Sequence, residues 1–412
     1  MEREISTAKQ AFVGLQMLFV AFGALVLVPM ITGLDANVAL FTAGAGTLIF
    51  QLCTKRQVPI FLASSFAFIA PIQYGVSAWG VGATMGGLAA AGVVYVVLSA
   101  LVKIKGAAIM DRIFPPVVVG PVIIIIGLGL APVAVDMALG KGSQYDPNVA
   151  LAVSMLTLLT TVVVAVFAKG LMKLVPIMAG IVAGYVLCLL FGVVDFTKVI
   201  EAPWVAMPAF VKPEFRLDAI LYLLPIAIAP AVEHVGGIMA ISSVTGKDFL
   251  QKPGLHRTLL GDGLATSAAS LVGGPPNTTY AEVTGAVMLT KNFNPNIMTW
   301  AAIWAIAISF CGKVGAFLGS IPTIVMGGIM MLVFGSIAAV GMSTLIKAKV
   351  DMGEARNLCI VSVVMTFGVG GMLINVGDFS LKGISLCAIL AIILNFVLPE
   401  TPKSDDEQSA LS

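Results

Sequence analysis

The sequence predicts an all-α polytopic membrane protein with fourteen transmembrane segments in two halves. Three observations carry that prediction: composition, the spacing of apolar runs and the distribution of basic residues. Of 412 residues, 59% are hydrophobic and only 11% charged, whereas a soluble domain is about 25% charged. A soluble globular fold is excluded. The apolar excess recurs in runs of about 20 residues, each able to cross roughly 30 Å of hydrocarbon as a helix. With 23 Lys and Arg against 21 Asp and Glu, the net charge is only +2, and no nucleic-acid partner is expected.

In chain order, the first run, Phe12 to Ile31, is too long for a typical signal core and reads as the first membrane helix. Spans are expected near 10–32, 37–53, 59–76, 80–102, 115–138, 148–168 and 172–193. A polar connection, Val194 to Leu217, follows. Seven further spans are expected near 218–245, 256–273, 279–291, 297–318, 321–342, 356–374 and 382–398. The 43 glycines and 21 prolines lie inside or beside apolar runs, where small residues permit close helix contact and prolines break helices. Gly180 and Gly184 form a GxxxG that is expected to pack a helix rather than to make a dimer.

With both termini on one side, about 17 of the 23 basic residues share that side, so both termini are expected to be cytoplasmic. Lys55 with Arg56, Lys103 with Lys105 and Arg112, Lys169 with Lys173, Lys247 with Lys252 and Arg257, and Lys347 with Lys349 and Arg356 contribute most. The two halves then run in opposite directions, as inverted-repeat transporters require. Pro115, Gly120 and Gly127 have an echo in Pro322, Gly327 and Gly335, and Ser64, Ser65 and Phe66 have a counterpart in Thr278, Thr279 and Tyr280.

These last segments are the most informative. Ser64 to Phe68 alternates like a short extended stretch before Pro71, and Gly273 to Tyr280, with Pro275 and Pro276 inside it, cannot begin as a regular helix. Non-helical backbone at membrane depth is tolerated only inside protein or beside a cavity. The helix after each break brings free N–H groups and a positive dipole end to that point.

Three acids fall well inside apolar spans: Glu233, Asp262 and Glu282. At a helix centre an acid costs about 2.5 to 3.5 kcal/mol on insertion scales, so each is expected to face a cavity or a partner. Glu233 follows Pro230, where a loosened helix exposes carbonyls. Glu282, two residues after Tyr280, sits at a helix start favoured by the dipole. His234 is rotated about 100° from Glu233 and is expected to pack structurally, and His256, beside Arg257, is expected at the interface. Two histidines without His-rich spacing give no basis for a metal site. The five cysteines, Cys53, Cys188, Cys311, Cys359 and Cys387, form no CxxC pair. There is no HExxH, GxSxG, complete GxGxxG or P-loop. An enzyme is therefore not expected, no cofactor is implied, and a membrane-embedded enzyme acting on lipid-linked substrates is the remote alternative.

Several motifs recur in order: Gly14, Leu15 and Gln16 with Phe22, Gly23 and Ala24, then Ser64 to Phe68, Pro230 to Gly236, Pro253 to Arg257 and Pro276 to Tyr280. Together they resemble the nucleobase/ascorbate transporter family, above all its bacterial uracil permeases, over nearly the whole chain. The resemblance implies two inverted repeats of seven segments, with a short strand in the third and tenth. A core domain would comprise residues 1–106 (spans 1 to 4) and 218–319 (spans 8 to 11). A gate domain would comprise 107–217 (spans 5 to 7) and 320–400 (spans 12 to 14), and 401–412 would be a cytoplasmic tail.

The resemblance also implies site residues. Glu233 and Glu282 would hold the base, main-chain N–H groups of Phe66 and Ala281 would contact it, and Ala24, Ser65 and Tyr280 would line the pocket. Uracil offers two N–H donors and two carbonyl acceptors, which carboxylates and backbone amides complement. Two family histidines are replaced by Met17 and Gly237, and the usual Asn and Gly of the tenth-span motif by Val283 and Ala281. The expected activity is import of a nucleobase, uracil first and xanthine or another purine as the alternative, by proton symport with alternating access across the cell inner (plasma) membrane. Glu233 and Glu282 would couple the proton. The expected partners are the base, protons, the bilayer and a second copy of the chain in a homodimer through the gates.

Overall fold

A computed structural model describes residues 6–376 and 379–399. Helix α1 (Thr7–Thr32) ends at Gly33, whose φ of 74° turns the chain. The next helix, α2 (Ala36–Cys53), starts at Asp35, whose carboxylate accepts the Val38 N–H at 2.7 Å. Strand β1 (Leu62–Ser64) and a 3₁₀ turn (Phe66–Phe68) then lead into α3 (Ile69–Lys105). Next come α4 (Ala108–Ile113), α5 (Pro116–Ala138), α6 (Pro147–Phe167) and α7 (Pro176–Leu190). The prolines opening α5, α6 and α7 have no N–H to leave unpaired at that position.

The second half continues with α8 (Thr197–Glu201), α9 (Leu217–Leu223), α10 (Ile228–Thr245) and α11 (Leu255–Leu271). Strand β2 (Asn277–Thr279) precedes α12 (Ala281–Thr290), α13 (Asn296–Ser309), α14 (Gly312–Gly319) and α15 (Thr323–Lys347). Last are α16 (Ala355–Val369), the antiparallel strands β3 (Leu373–Val376) and β4 (Phe379–Lys382), and α17 (Gly383–Val397).

Among the described residues, seven helical stretches are long and apolar enough to cross a membrane, or eight when α13 and α14 count as one bent span. The chain is a multi-pass membrane protein. Large apolar side chains such as Ile104, Phe167 and Leu190 point outward, as lipid-facing surfaces require.

Several boundaries differ from expectation. The region 59–76 is strand, turn and helix, and at Gly80 (φ 82°, ψ 172°) α3 turns back on itself, so that a Cβ at Gly75 would meet the Thr84 side chain. Extended backbone occupies Leu62–Ser64 rather than 64–68, because the Ile69 N–H already closes a turn on the Phe66 carbonyl. The expected span 297–318 is split into α13 and α14, bent by 83°. Gly312 seats on the Pro203 carbonyl and Lys313 donates to the Val199 and Ile200 carbonyls at 2.7 Å, which pull α14 sideways onto α8 and the chain after it.

One set of helices packs α1, α2, α3, α11 and α13 together, and another packs α5, α6, α7, α15, α16 and α17. In the second set α5 and α15 lie antiparallel: Gly120 meets Gly341 and Leu345, Gly127 meets Phe334 and Ala338, and Gly327 meets Ala138. The echo headed by Pro115 and Pro322 therefore becomes one helix pair. Gly180 and Gly184 set α7 against Thr161 and Thr157 of α6, a contact inside the chain.

Candidate substrate site at the strand crossing

The two breaks meet. Strands β1 and β2 pair antiparallel with Leu62 opposite Thr279, Ala63 opposite Thr278 and Ser64 opposite Asn277. The ladder continues at both ends, where the Ser65 N–H donates to the Pro276 carbonyl at 2.8 Å and the Tyr280 N–H to the Phe61 carbonyl at 3.2 Å. Side-chain bonds tie the two strands to the surrounding helices. Thr47 accepts the Leu62 N–H at 2.9 Å and donates to its carbonyl at 3.2 Å. The Asn277 amide donates to the Thr42 carbonyl and the Thr266 hydroxyl to the Asn277 carbonyl, both at 2.7 Å. These bonds allow extended backbone to sit at membrane depth.

On each side of the crossing the chain enters a helix, through the 3₁₀ turn at Phe66 and through α12 at Ala281. First-turn N–H groups have no intrahelical partner, so two positive helix ends flank the crossing. The Phe66 and Tyr280 rings stack with centroids 6.3 Å apart and planes 24° apart. The Tyr280 hydroxyl donates to the Ser64 carbonyl at 2.7 Å. Ser65 Oγ and Thr279 Oγ1 are buried there with no hydrogen-bond partner among the described residues.

Glu233 lies one turn before Gly237 on α10, and a Cβ at Gly237 would come within 2.9 Å of Thr279 Oγ1. Residues i and i+4 share a helix face, so Glu233 belongs to the face of α10 turned to β2. Its side chain is exposed, whereas that of His234 is fully buried. Glu282 is the second residue of α12. The side chains of Ala24, Ala281 and Glu282 lie outside the described residues.

Behind the crossing stands a polar cluster that sequence reasoning missed. His234 Nδ1 lies 3.5 Å from Asp262 Oδ2, both side chains being fully buried. The Thr278 hydroxyl donates to the same oxygen at 3.3 Å. Phe50 meets the imidazole edge-on with ring centroids 6.3 Å apart, and Tyr95 is fully buried. Asp262 of α11 is thus hydrogen-bonded to β2 and packed against His234 of α10. No motif joins residues on separate helices, so the sequence held no signal for this pairing. His256 opens α11 near Arg257 and Lys103, half-buried. Among the described residues, no cluster of His, Cys, Asp or Glu suits a metal ion.

The crossing therefore joins backbone donors, a carboxylate and aromatic faces, which suits a flat neutral molecule carrying both donors and acceptors.

Comparison with known proteins places the chain. A family model described as the Permease family matches residues 8–377. The probable uracil permease of Pasteurella multocida is 77% identical over 406 residues, covering 98% of this chain and 97% of that protein. The uracil permease of Bacillus caldolyticus is 45% identical over 398 residues (95% and 92%), and that of Escherichia coli K12 is 38% identical over 385 (93% and 90%). Among solved structures, the transmembrane domain of the cyanobacterial bicarbonate transporter BicA gives a TM-score of 0.66 at 16% identity, covering 94% of this chain and 96% of that one. The murine anion transporter Slc26a9 in its inward-facing state gives 0.72 at 10% identity (96% and 69%). The two structures establish likeness of fold alone. The chain belongs to the nucleobase/ascorbate transporter family of permeases and is a transporter, not an enzyme.

Proposed function

We propose that this chain imports uracil by proton symport with alternating access. The observation that carries the reading is the strand crossing, where two helix N-termini, the stacked Phe66 and Tyr280 rings and the Glu233 face of α10 converge. The names of the similar uracil permeases support the substrate. Uracil's N–H groups donate to Glu233 and Glu282, and its carbonyls accept from the main-chain N–H groups of Phe66 and Ala281. Ala24, Ser65 and Tyr280 line the pocket. Glu233 and Glu282 take up a proton outside and release it inside, with Glu233 the principal coupling residue.

In this reading the chain has fourteen segments as two inverted repeats, a proposal supported by the antiparallel pairing of β1 with β2 and of α5 with α15. Residues 1–106 and 218–319 form the core, and 107–217 and 320–400 the gate. The core moves against the gate around a midplane site. Both termini are cytoplasmic, the membrane is the cell inner membrane, and the gates join two copies into a homodimer. The anion cargo of the structural neighbours does not suit a pocket with two carboxylates, which would repel it.

Labelled uracil uptake into vesicles with an imposed pH gradient tests the coupling. Uptake should follow the gradient, and indifference to it rejects symport. Glu282→Gln should abolish uracil binding with membrane insertion intact; unchanged binding removes Glu282 from the pocket. Competition by unlabelled uracil, thymine, xanthine and uric acid fixes the base, and stronger displacement by xanthine would install the purine reading instead.

A further inference from the structure

A cavity of about 300 Å³ lies beyond the crossing, between the first turns of α3 and the helices α5, α9, α16 and α17. Its wall begins at Ala70, one turn after Phe66, yet none of Ser65, Phe66, Glu233 and Tyr280 lines it. One side is aromatic. Tyr74 and Tyr222 pack at 4.9 Å between centroids, and Trp79 meets them edge-on at 5.4 and 5.6 Å. The opposite side is aliphatic and glycine-lined, with Ile126 and Gly129 among its residues. A Cβ at Gly129 would meet nothing within 4 Å, so space on that side is kept by a missing side chain.

Position along α3 fixes which end of the protein this is. From Phe66 the helix climbs past Tyr74 to the bend at Gly80, then returns over Val81 to Lys105, which sets Gly75 against the Thr84 side chain. That return limb of 25 residues spans about 37 Å. The cavity therefore sits at the end of the bundle opposite Lys103 and Lys105, which is the external end in the orientation proposed above.

The volume is at the lower end of ligand cavities, about 300 Å³, so it admits a small planar molecule and no bulky one. Aromatic faces hold flat heterocycles by stacking without regard to their hydrogen-bond pattern. We propose that this cavity is a second, external binding site, in which a planar nucleobase stacks on Tyr74 and Tyr222 before passing one turn inward to the crossing. The proposal rests on the reading that the chain carries a nucleobase. Stacking without charge-assisted bonds gives a weak site, with Kd on the order of millimolar.

The test is a uracil titration of the full-length protein in detergent, followed by tryptophan emission. Trp79→Phe identifies the part of the signal that comes from the cavity. Two phases are expected, a tight one and a millimolar one that quenches Trp79. Glu233→Gln should remove the tight phase and leave the weak one. Tyr222→Leu should weaken the millimolar phase at least tenfold, and so should Gly129→Leu, which fills the cavity from the opposite wall. Absence of a weak phase, or its survival in both cavity variants, overturns the proposal. Survival of the tight phase in Glu233→Gln instead overturns the role of Glu233 at the crossing and leaves the cavity result intact. Should Tyr222→Leu fail to fold, Gly129→Leu decides alone.

Discussion

Replacing Gly327 by alanine should destabilise the protein relative to the same replacement at Gly335, although both glycines lie within α15. A Cβ at Gly327 would stand 2.6 Å from Ala138 Cα and 2.7 Å from the Met137 carbonyl carbon, and nearer still to the Ala138 nitrogen. Ordinary contact begins at 3.4 Å, and every one of these neighbours is backbone, so α5 and α15 must separate by close to 1 Å. At Gly335 a Cβ would meet nothing within 4 Å. The gain in helix propensity from Gly to Ala, about 1 kcal/mol, is common to both variants and cancels. What remains is the overpacking cost, about 1 to 3 kcal/mol. With an unfolding entropy of roughly 2.1 cal/mol/K per residue, that difference separates the two midpoints by on the order of 1 to 4 °C. Thermal unfolding of the purified protein in detergent measures it. Equal midpoints, or a lower one for Gly335→Ala, would refute the assigned packing of α5 on α15.

Further outcomes follow from the crossing. Thr47→Val removes both bonds to Leu62 and leaves a buried N–H and carbonyl unpaired; a loss of about 1 to 3 kcal/mol is expected, read as a lower unfolding midpoint and faster amide exchange at Leu62. Tyr280→Phe keeps the ring beside Phe66 but deletes the 2.7 Å bond to Ser64, so stability should fall by about 1 kcal/mol in the same thermal assay. Glu233→Gln deletes a charged acceptor, and equilibrium dialysis with labelled uracil should show affinity reduced at least tenfold, the equivalent of about 1.4 kcal/mol. Undiminished affinity would place the base elsewhere.

Much of the fold was legible because a bilayer permits few solutions. Apolar runs of spanning length and the two polar, proline-rich interruptions were visible without coordinates, since helix is the only open-chain structure that satisfies its own backbone in lipid. Boundaries were less legible. Gly80 has no sequence signature that separates a bend from a terminus, and the split between α13 and α14 depends on Lys313 reaching the Val199 and Ile200 carbonyls. The sequence echo likewise paired Gly127 with Gly335, yet only Gly127 is pressed against a neighbouring helix, while Gly335 faces open space.

The site divides in the same way. Sequence by itself singled out Glu233, Asp262 and Glu282, because the expense of an acid in an apolar run is a property of composition and position alone. Only tertiary structure separated their surroundings: Asp262 is fully buried, accepting from Thr278 and lying 3.5 Å from His234, whereas Glu233 is exposed on the face of α10 beside β2. Sequence predicted two broken segments, and the pairing of Leu62–Ser64 with Asn277–Thr279 made them one crossing. The physical reason is that insertion cost and helix propensity are local, while hydrogen-bond partners and cavities are made by residues that the chain brings together from far apart.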